Sequence, residues 1–176
     1  MRLDKRWVNT NTGEVSGESS KEFPPHFDEE RGYLFWHRKQ FVKTFADVPF
    51  PVDMTLEDIG RMTLLSKRVY SQTNMLGYRG NGGVKSYSMD QVGEIIHCGP
   101  RQARRFFERM VKFGLMAKVK VVVGVCDELQ WYLNPIYFFS NNRLPLNLYL
   151  LFREQLNAVL PRWVIERFGE QKAANS

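Results

Sequence analysis

The chain is poor in the residues that build metal centres and disulfide frameworks. Of its 176 residues, two are cysteine and three are histidine. Cys98 and Cys126 belong to no CxxC pair, so the sequence predicts neither a metal site nor a disulfide framework. A reducing cytoplasm is the expected location. Because the histidines are scattered along the chain, we expect no metal and no cofactor.

A long hydrophobic run is also missing. The longest apolar stretch, residues 144–152, contains Pro145 and Asn147. It is far shorter than the roughly 20 residues that a helix needs to cross a bilayer. Residues 1–17 have no apolar run of the kind found in a signal peptide. The sequence therefore predicts no membrane partner.

The motifs of several enzyme classes are absent. The chain has no HExxH, no GxSxG and no His-x-His with a nearby nucleophilic tyrosine. A glycine-rich segment at residues 76–83 lacks the Gly-Lys-Ser/Thr ending of a P-loop. We interpret it as a flexible connection to a short strand at residues 84–87. These absences predict a protein that is not an enzyme.

What the chain does have is locally concentrated positive charge. Its 25 Lys and Arg residues against 19 Asp and Glu residues give a net charge of +6. A basic balance favours nucleic acid or an anionic surface as the partner. The densest basic segment is residues 101–112, which suggests that this part of the chain makes the contact.

Residues 100–113 are typical of a helix with one aromatic side and one basic side. At ~100° per residue, the apolar residues share one side: Ala103, Phe106, Phe107, Met110, Val111 and Phe113. The polar residues share the other side: Arg101, Gln102, Arg104, Arg105, Glu108, Arg109 and Lys112. Pro100 suits the first helical position, and Gly114 suits the residue past the end. We expect the aromatic side to pack and the basic side to face solvent.

A short helix is predicted directly before the basic helix. Ser88 is a good N-cap, and Gln91 three residues later completes a capping box. Residues 97–99 then form a short turn that contains glycine. Two helices joined in this way are typical of the DNA-binding helix-turn-helix.

A β-hairpin is predicted directly after the basic helix. Apolar residues alternate with other residues at positions 119–123 and 129–133, on either side of a turn at residues 124–128. This hairpin would be the wing of a winged helix. Its turn would carry two carboxylates, which phosphates repel. We therefore expect the base of the wing, at Lys118 and Lys120, to approach the DNA backbone.

The rest of the chain is predicted to extend this unit on both sides. The predicted segments are a polar N-terminal arm (1–32), an aromatic and basic extension (33–54), a winged helix-turn-helix domain (55–137) and a C-terminal helical tail (138–176). The arm contains a small hairpin around Thr12 and Gly13, and the domain opens with a long helix over residues 55–73. An apolar helix at residues 144–160, broken by Pro161, either covers the domain's own core or pairs with a second copy.

Residues 55–137 resemble the winged-helix core shared by MarR-like regulators and RepL-type replication proteins of Gram-positive plasmids and phages. The matching pieces are the Ser88 cap with Val92 and Ile95, the end of the basic helix at 109–116, and the end of the hairpin at 131–135. The last piece, together with residues 11–15, favours the replication and phage group. The resemblance covers about half of the chain. The expected fold is α+β, mainly α: a winged helix-turn-helix with an N-terminal β-containing extension and a C-terminal apolar helix.

The sequence thus predicts a sequence-specific double-stranded DNA-binding protein of plasmid or phage type that acts in replication initiation by origin binding. The residues expected at base edges are Arg101, Gln102, Arg104 and Arg105. Those expected at phosphates are Arg109, Lys112, Lys118, Lys120 and Arg79. A winged-helix transcriptional regulator is one alternative, and a protein-interaction module using the winged helix and the apolar tail is another. The expected partners are double-stranded DNA, a second copy through the C-terminal helix, and host replication or transcription proteins.

Overall fold

The structure of the chain is a computed structural model. It describes residues 2–9, 11–22, 27–28, 32–33, 42–70, 73–123 and 126–174. The chain divides into two compact units, residues 1–39 and residues 40–176. Residues 34–41, which belong to the aromatic and basic extension predicted over residues 33–54, lie outside the described residues.

The first unit is built from antiparallel strand pairs. β1 (Arg2–Val8) pairs with β2 (Val15–Glu22), and β3 (Phe27–Asp28) pairs with β4 (Gly32–Tyr33). In the turn between β1 and β2, Gly13 has a φ of 74°, a conformation that glycine adopts without steric cost. The hairpin predicted around Thr12 and Gly13 is confirmed, and its strands are longer than expected.

The second unit combines an antiparallel sheet with helices. Its strands are β5 (Val69–Tyr70), β6 (Met75–Gly80), β7 (Gly83–Ser86), β8 (Met116–Val123) and β9 (Cys126–Leu133). Its helices are α1 (Leu56–Ser66), α2 (Met89–Ile95), α3 (Pro100–Lys112), α4 (Leu146–Leu151), α5 (Arg153–Asn157) and α6 (Arg162–Ala174). The strand order is β5-β6-β9-β8, and β7 pairs with β6.

This sheet shows that the predicted fold class is wrong. A mainly α winged helix was expected, but the described residues of the second unit form a five-stranded antiparallel sheet. Met75 pairs with Tyr132, which joins the hairpin after α3 to strands that precede α2. This strand pairing was not predicted from the sequence pattern, because it involves residues far apart in the chain.

The glycine-rich segment is part of this sheet and is not a flexible connection. It forms β6 and the turn to β7, with Tyr78 opposite Lys85. A Cβ on Gly77 would lie 2.7 Å from the carbonyl oxygen of Lys85. Gly77 therefore permits a close approach of two strands, which the sequence analysis interpreted as chain flexibility.

Two predicted helices are also shorter than expected. The helix predicted over residues 55–73 ends at Ser66, because buried Val69 pairs with Leu76 in the sheet. The apolar helix predicted over residues 144–160 is divided into α4 and α5 at Phe152, whose φ of −123° is not helical. The break predicted at Pro161 is confirmed, and α6 follows it.

Most of the core lies between α1, α3 and the sheet. Met62 and Leu65 of α1 are fully buried together with Phe107 of α3. The Phe107 ring meets Trp131 of β9 edge-on, with ring centroids 4.8 Å apart. Fully burying one such side chain stabilises a fold by about 1.5–3 kcal/mol. These contacts hold the inner side of α3 firmly against the sheet.

Asn74 is a buried polar side chain that ties the sheet to the chain after β9. Its Nδ2 donates to the carbonyl oxygens of Leu133 and Phe138 at 2.8 and 2.6 Å. Its Oδ1 accepts the backbone N–H of Ser140 at 2.9 Å. Its φ of 59° is left-handed, a region that asparagine visits more readily than most residues. All the hydrogen-bonding groups of the Asn74 amide are thus used inside the protein.

The C-terminal segment forms a second apolar cluster. Leu148, Phe152 and Leu156 are buried in it with Ile136. Helix α6 has no buried residue, but its Phe168 stacks on Tyr149 with ring centroids 4.2 Å apart. The tail therefore packs on its own chain, and pairing with a second copy through the apolar helix predicted at residues 144–160 stays a prediction.

Candidate nucleic-acid interface

Helices α2 and α3 begin and end at the residues that the sequence indicated. The Ser88 hydroxyl accepts the Gln91 N–H at 3.3 Å, and the Gln91 side chain accepts the Ser88 N–H at 3.0 Å. The predicted capping box is confirmed. Helix α3 starts with Pro100, and Gly114 follows it with a φ of 71°. Both ends of α3 are thus fixed by local chemistry.

The turn between α2 and α3 packs tightly on α2. The Cys98 N–H donates to the carbonyl oxygen of Gly93 at 2.8 Å. A Cβ on Gly93 would lie only 2.5 Å from the Cys98 carbonyl oxygen. His97 has a φ of 54° in this turn. Gly93 therefore sets how closely α3 follows α2, a role that the sequence analysis did not assign to it.

Helix α3 has a buried side and a charged side, as predicted. Ala103, Phe106, Phe107 and Met110 are at most 1% exposed. The basic strip, as we call the opposite side, consists of Arg101, Gln102, Arg104, Arg105 and Lys112, all exposed. None of these five side chains has an ion pair or hydrogen bond with a described residue. Val111, which was expected on the apolar side, is 37% exposed.

Arg109 differs from the basic strip because it is paired within the protein. Its Nη2 contacts Oδ1 of Asp58 in α1, and the Asp58 side chain is only 3% exposed. Its guanidinium also lies 5.9 Å from the Phe106 ring centroid. No local sequence pattern indicates this partner, which is 51 residues away along the chain. A phosphate contact at Arg109 stays a prediction, and such a contact would compete with this pair.

The hairpin predicted after α3 is present, but its acidic residues are not at its tip. Val121 pairs with Glu128 and Val122 pairs with Asp127, so both carboxylates belong to the strand β9. The expectation of a turn over residues 124–128 is wrong, because pairing continues to Val123 and Cys126.

Both lysines predicted to contact DNA from this hairpin have partners within it. Lys120 Nζ lies 2.5 Å from Oδ2 of Asp127. Lys118 Nζ lies 5.6 Å from the Trp131 ring centroid, within the range of a cation–π contact. Their positive charge is thus partly satisfied within the protein itself.

Arg79 lies on the second hairpin, formed by β6 and β7. It is exposed and pairs in register with Val84. It was expected in a loop, whereas the sheet gives it a fixed backbone position. Neither Arg79 nor the neighbouring Lys85 has an ion pair with a described residue. The charge on this hairpin is thus available to a ligand.

A groove of about 750 Å³ lies between the two hairpins and α3. Its walls include aromatic and basic side chains from all three elements: Tyr78, Lys85, Tyr87, Arg104, Lys118 and Trp131. The Tyr78 and Tyr87 rings are 5.2 Å apart and inclined at 41°. Three carboxylates also line the groove, namely Glu108, Asp127 and Glu128. No local sequence pattern predicts this groove, because its walls come from three separate segments of the chain.

Two tyrosines near these elements have perturbed hydroxyl groups. Burial raises the pKa of Tyr132 above its ordinary value, and the charge of Glu128 raises that pKa further. Burial also raises the pKa of Tyr137. The Tyr132 hydroxyl donates to Oε1 of Gln130 at 2.8 Å. At neutral pH this hydroxyl therefore acts as a hydrogen-bond donor.

Among the described residues, no three His, Cys, Asp or Glu side chains cluster in a way that suits a metal ion. No helix in the same part of the chain combines the length and apolar character that a bilayer crossing requires. Comparison with known protein families, with curated proteins and with solved structures gives no significant match to this chain.

Proposed function

We propose that this protein binds double-stranded DNA in a sequence-specific manner through the basic strip of α3. The observation that carries the proposal is the contrast between the two sides of this helix. Its aromatic side is buried, and five polar side chains on its other side have no partner among the described residues. Exposed cations with no internal partner are available to phosphates and base edges.

The shape of the helix supports this role. The major groove of B-DNA is about 12 Å wide, which matches the 10–12 Å diameter of an α-helix with its side chains. The first two turns of α3 carry Arg101, Gln102 and Arg105. Arg forms bidentate pairs with guanine, and Gln forms them with adenine. In this proposal these residues contact base edges, while Lys112 contacts the backbone.

The decisive experiment is selection of binding sites from random duplex DNA, followed by affinity measurement on the enriched site. Arg105→Ala should weaken binding to that site by about 1–3 kcal/mol and relax its specificity. Arg153→Ala is the matched control, because it removes one exposed positive charge from α5 and leaves the basic strip intact. If both variants bind equally well, the basic strip does not read DNA.

A salt series on the same complexes tests the alternative of a protein-interaction module. Several phosphate contacts make duplex affinity fall steeply as the salt concentration rises. An apolar contact with a partner protein does not depend on salt in this way. If no duplex is enriched at any salt concentration, a protein-interaction module becomes the better proposal.

For the biological role we propose replication initiation through origin binding, with transcriptional regulation as the alternative. Both roles need a protein that stays at one DNA site, and α3 is suited to that task in either case. Mapping the bound sites separates them. Sites repeated within an origin support replication, and a site overlapping a promoter supports regulation.

A further inference from the structure

We propose that the groove between α3 and the two hairpins binds unpaired nucleotides of single-stranded DNA. Bases would stack on Tyr78, and the strand's phosphates would lie against Lys85 and Arg104. This site shares Arg104 with the basic strip, but neither Arg101 nor Arg105 lines the groove. Binding of single-stranded DNA at this site does not require that the protein also binds duplex DNA.

The tyrosine pair offers a surface for a base. Tyr78 is 36% exposed, and Tyr87 can cover at most one of its two ring faces. The 41° inclination of the two rings shows that they are not stacked on each other. A nucleobase can stack on an aromatic ring regardless of its identity, and each such contact contributes about 1–3 kcal/mol. The other ring face of Tyr78 is therefore suited to an unpaired base.

The groove has a small excess of positive charge once Asp127 is paired with Lys120, because three cations then face two carboxylates, Glu108 and Glu128. Of the three carboxylates, Asp127 is paired with Lys120, and Glu128 Oε1 accepts the Ser86 N–H at 3.1 Å. Lys85 and Arg104 have no ion pair with a described residue. Aromatic side chains combined with unpaired cations are the usual features of a single-strand binding groove.

Ser86 places a hydroxyl group beside the groove. Its Oγ is buried and has no hydrogen-bond partner among the described residues. Buried hydroxyl groups are nearly always hydrogen-bonded. Because this oxygen has almost no exposed surface, the Ser86 side chain must rotate before a phosphate oxygen or a base acceptor in the groove can accept its hydrogen bond. The volume of about 750 Å³ also lies within the roughly 300–1,000 Å³ of small-ligand pockets.

The test measures binding of a fluorescently labelled oligothymidine of about 12 nucleotides by anisotropy, using the full chain. Tyr78→Leu keeps an apolar side chain but removes the stacking surface, and it should weaken binding about tenfold or more. Tyr78→Phe keeps the ring and should bind like the unmodified protein. Circular dichroism and thermal melting establish that each variant is folded.

Two further measurements distinguish binding at this site from binding at the basic strip and from a purely electrostatic attraction to phosphates. Arg105→Ala should reduce duplex affinity while leaving oligothymidine affinity unchanged. An abasic strand of equal length, which has phosphates but no bases, should bind more weakly than oligothymidine. The proposal is overturned if the abasic strand binds equally well, if folded Tyr78→Leu retains full affinity, or if oligothymidine does not bind at low salt.

Discussion

Helix α3 and the hairpin β8–β9 both carry lysine or arginine residues that were predicted to contact DNA. The two elements differ in whether these cations already have partners inside the protein. On α3, Arg101, Arg105 and Lys112 have no partner among the described residues. On the hairpin, Lys120 is paired with Asp127 and Lys118 lies over Trp131. The sequence assigned both groups to DNA. The difference shows that the charge available to a ligand depends on which cations are already paired inside the protein.

The largest effect should come from the one cation of α3 that is paired with a buried group. Arg109→Ala leaves the carboxylate of Asp58, 3% exposed, without its cation. Breaking a fully buried pair costs about 3–5 kcal/mol of folding stability, and because the Arg109 side chain is 47% exposed the loss should lie at the lower end of that range. Arg105→Ala removes an unpaired surface charge and should change stability by about 0.5 kcal/mol or less. Denaturant unfolding measures both. Equal unfolding midpoints for the two variants would show that the pair of Arg109 with Asp58 does not stabilise the fold, and that Arg109 is an ordinary surface cation like those of the basic strip.

A smaller effect should follow from moving α3 while leaving every cation in place. Gly93→Ala puts a Cβ 2.5 Å from the Cys98 carbonyl oxygen, so the turn must shift at a cost of about 1–3 kcal/mol. Duplex affinity should fall as well, although β8–β9 keeps its lysines. Thermal melting and DNA binding below the melting transition measure the two effects.

Gly60→Ala is the matched control for that change. Gly60 lies in α1, and apart from its chain neighbours and the backbone of its own helix no atom lies within 4 Å of its added Cβ. Replacing it should stabilise the helix by roughly 0.5–1 kcal/mol and leave DNA binding unchanged. If Gly93→Ala behaves like Gly60→Ala, the turn does not position α3.

The smallest effect should come from releasing a lysine on the hairpin. Asp127→Asn removes the partner of Lys120, and an exposed ion pair of this kind contributes only about 0.2–1 kcal/mol to stability. If the released Lys120 reaches a phosphate, the dependence of log affinity on log salt should steepen by about 0.9. Combining Asp127→Asn with Lys120→Ala should remove this increase. An unchanged slope in Asp127→Asn would mean that the hairpin stays away from the DNA backbone.

The sequence predicted those features of the fold that arise from residues close together in the chain. The capping box of Ser88 and Gln91, the helix start at Pro100 and the amphipathic pattern of α3 arise within a few residues of one another. The pairs of Met75 with Tyr132 and of Asp58 with Arg109 connect distant segments. No local pattern contains them, and for that reason the five-stranded sheet and the internal partner of Arg109 were missed.

The groove was not predicted either, because its walls come from distant segments of the chain. One local pattern nevertheless indicated part of it. Tyr78, Lys85 and Tyr87 follow the alternation of a short hairpin, but the glycines between them were interpreted as chain flexibility. The strand pairing of Tyr78 with Lys85 needed the close approach at Gly77. Considering those glycines as sites of strand contact would have predicted the hairpin, but not its position beside α3.

The hydrogen bonds of Asn74 also have a consequence for how the chain folds. They join Asn74 to carbonyl groups 59 and 64 residues away, so closing this loop costs much conformational entropy. The segment from α2 through β9 is enclosed within that loop and makes most of its contacts locally. Local contacts form faster than distant ones. We therefore expect α3 and its hairpin to assemble early, before the two ends of the loop are joined around them.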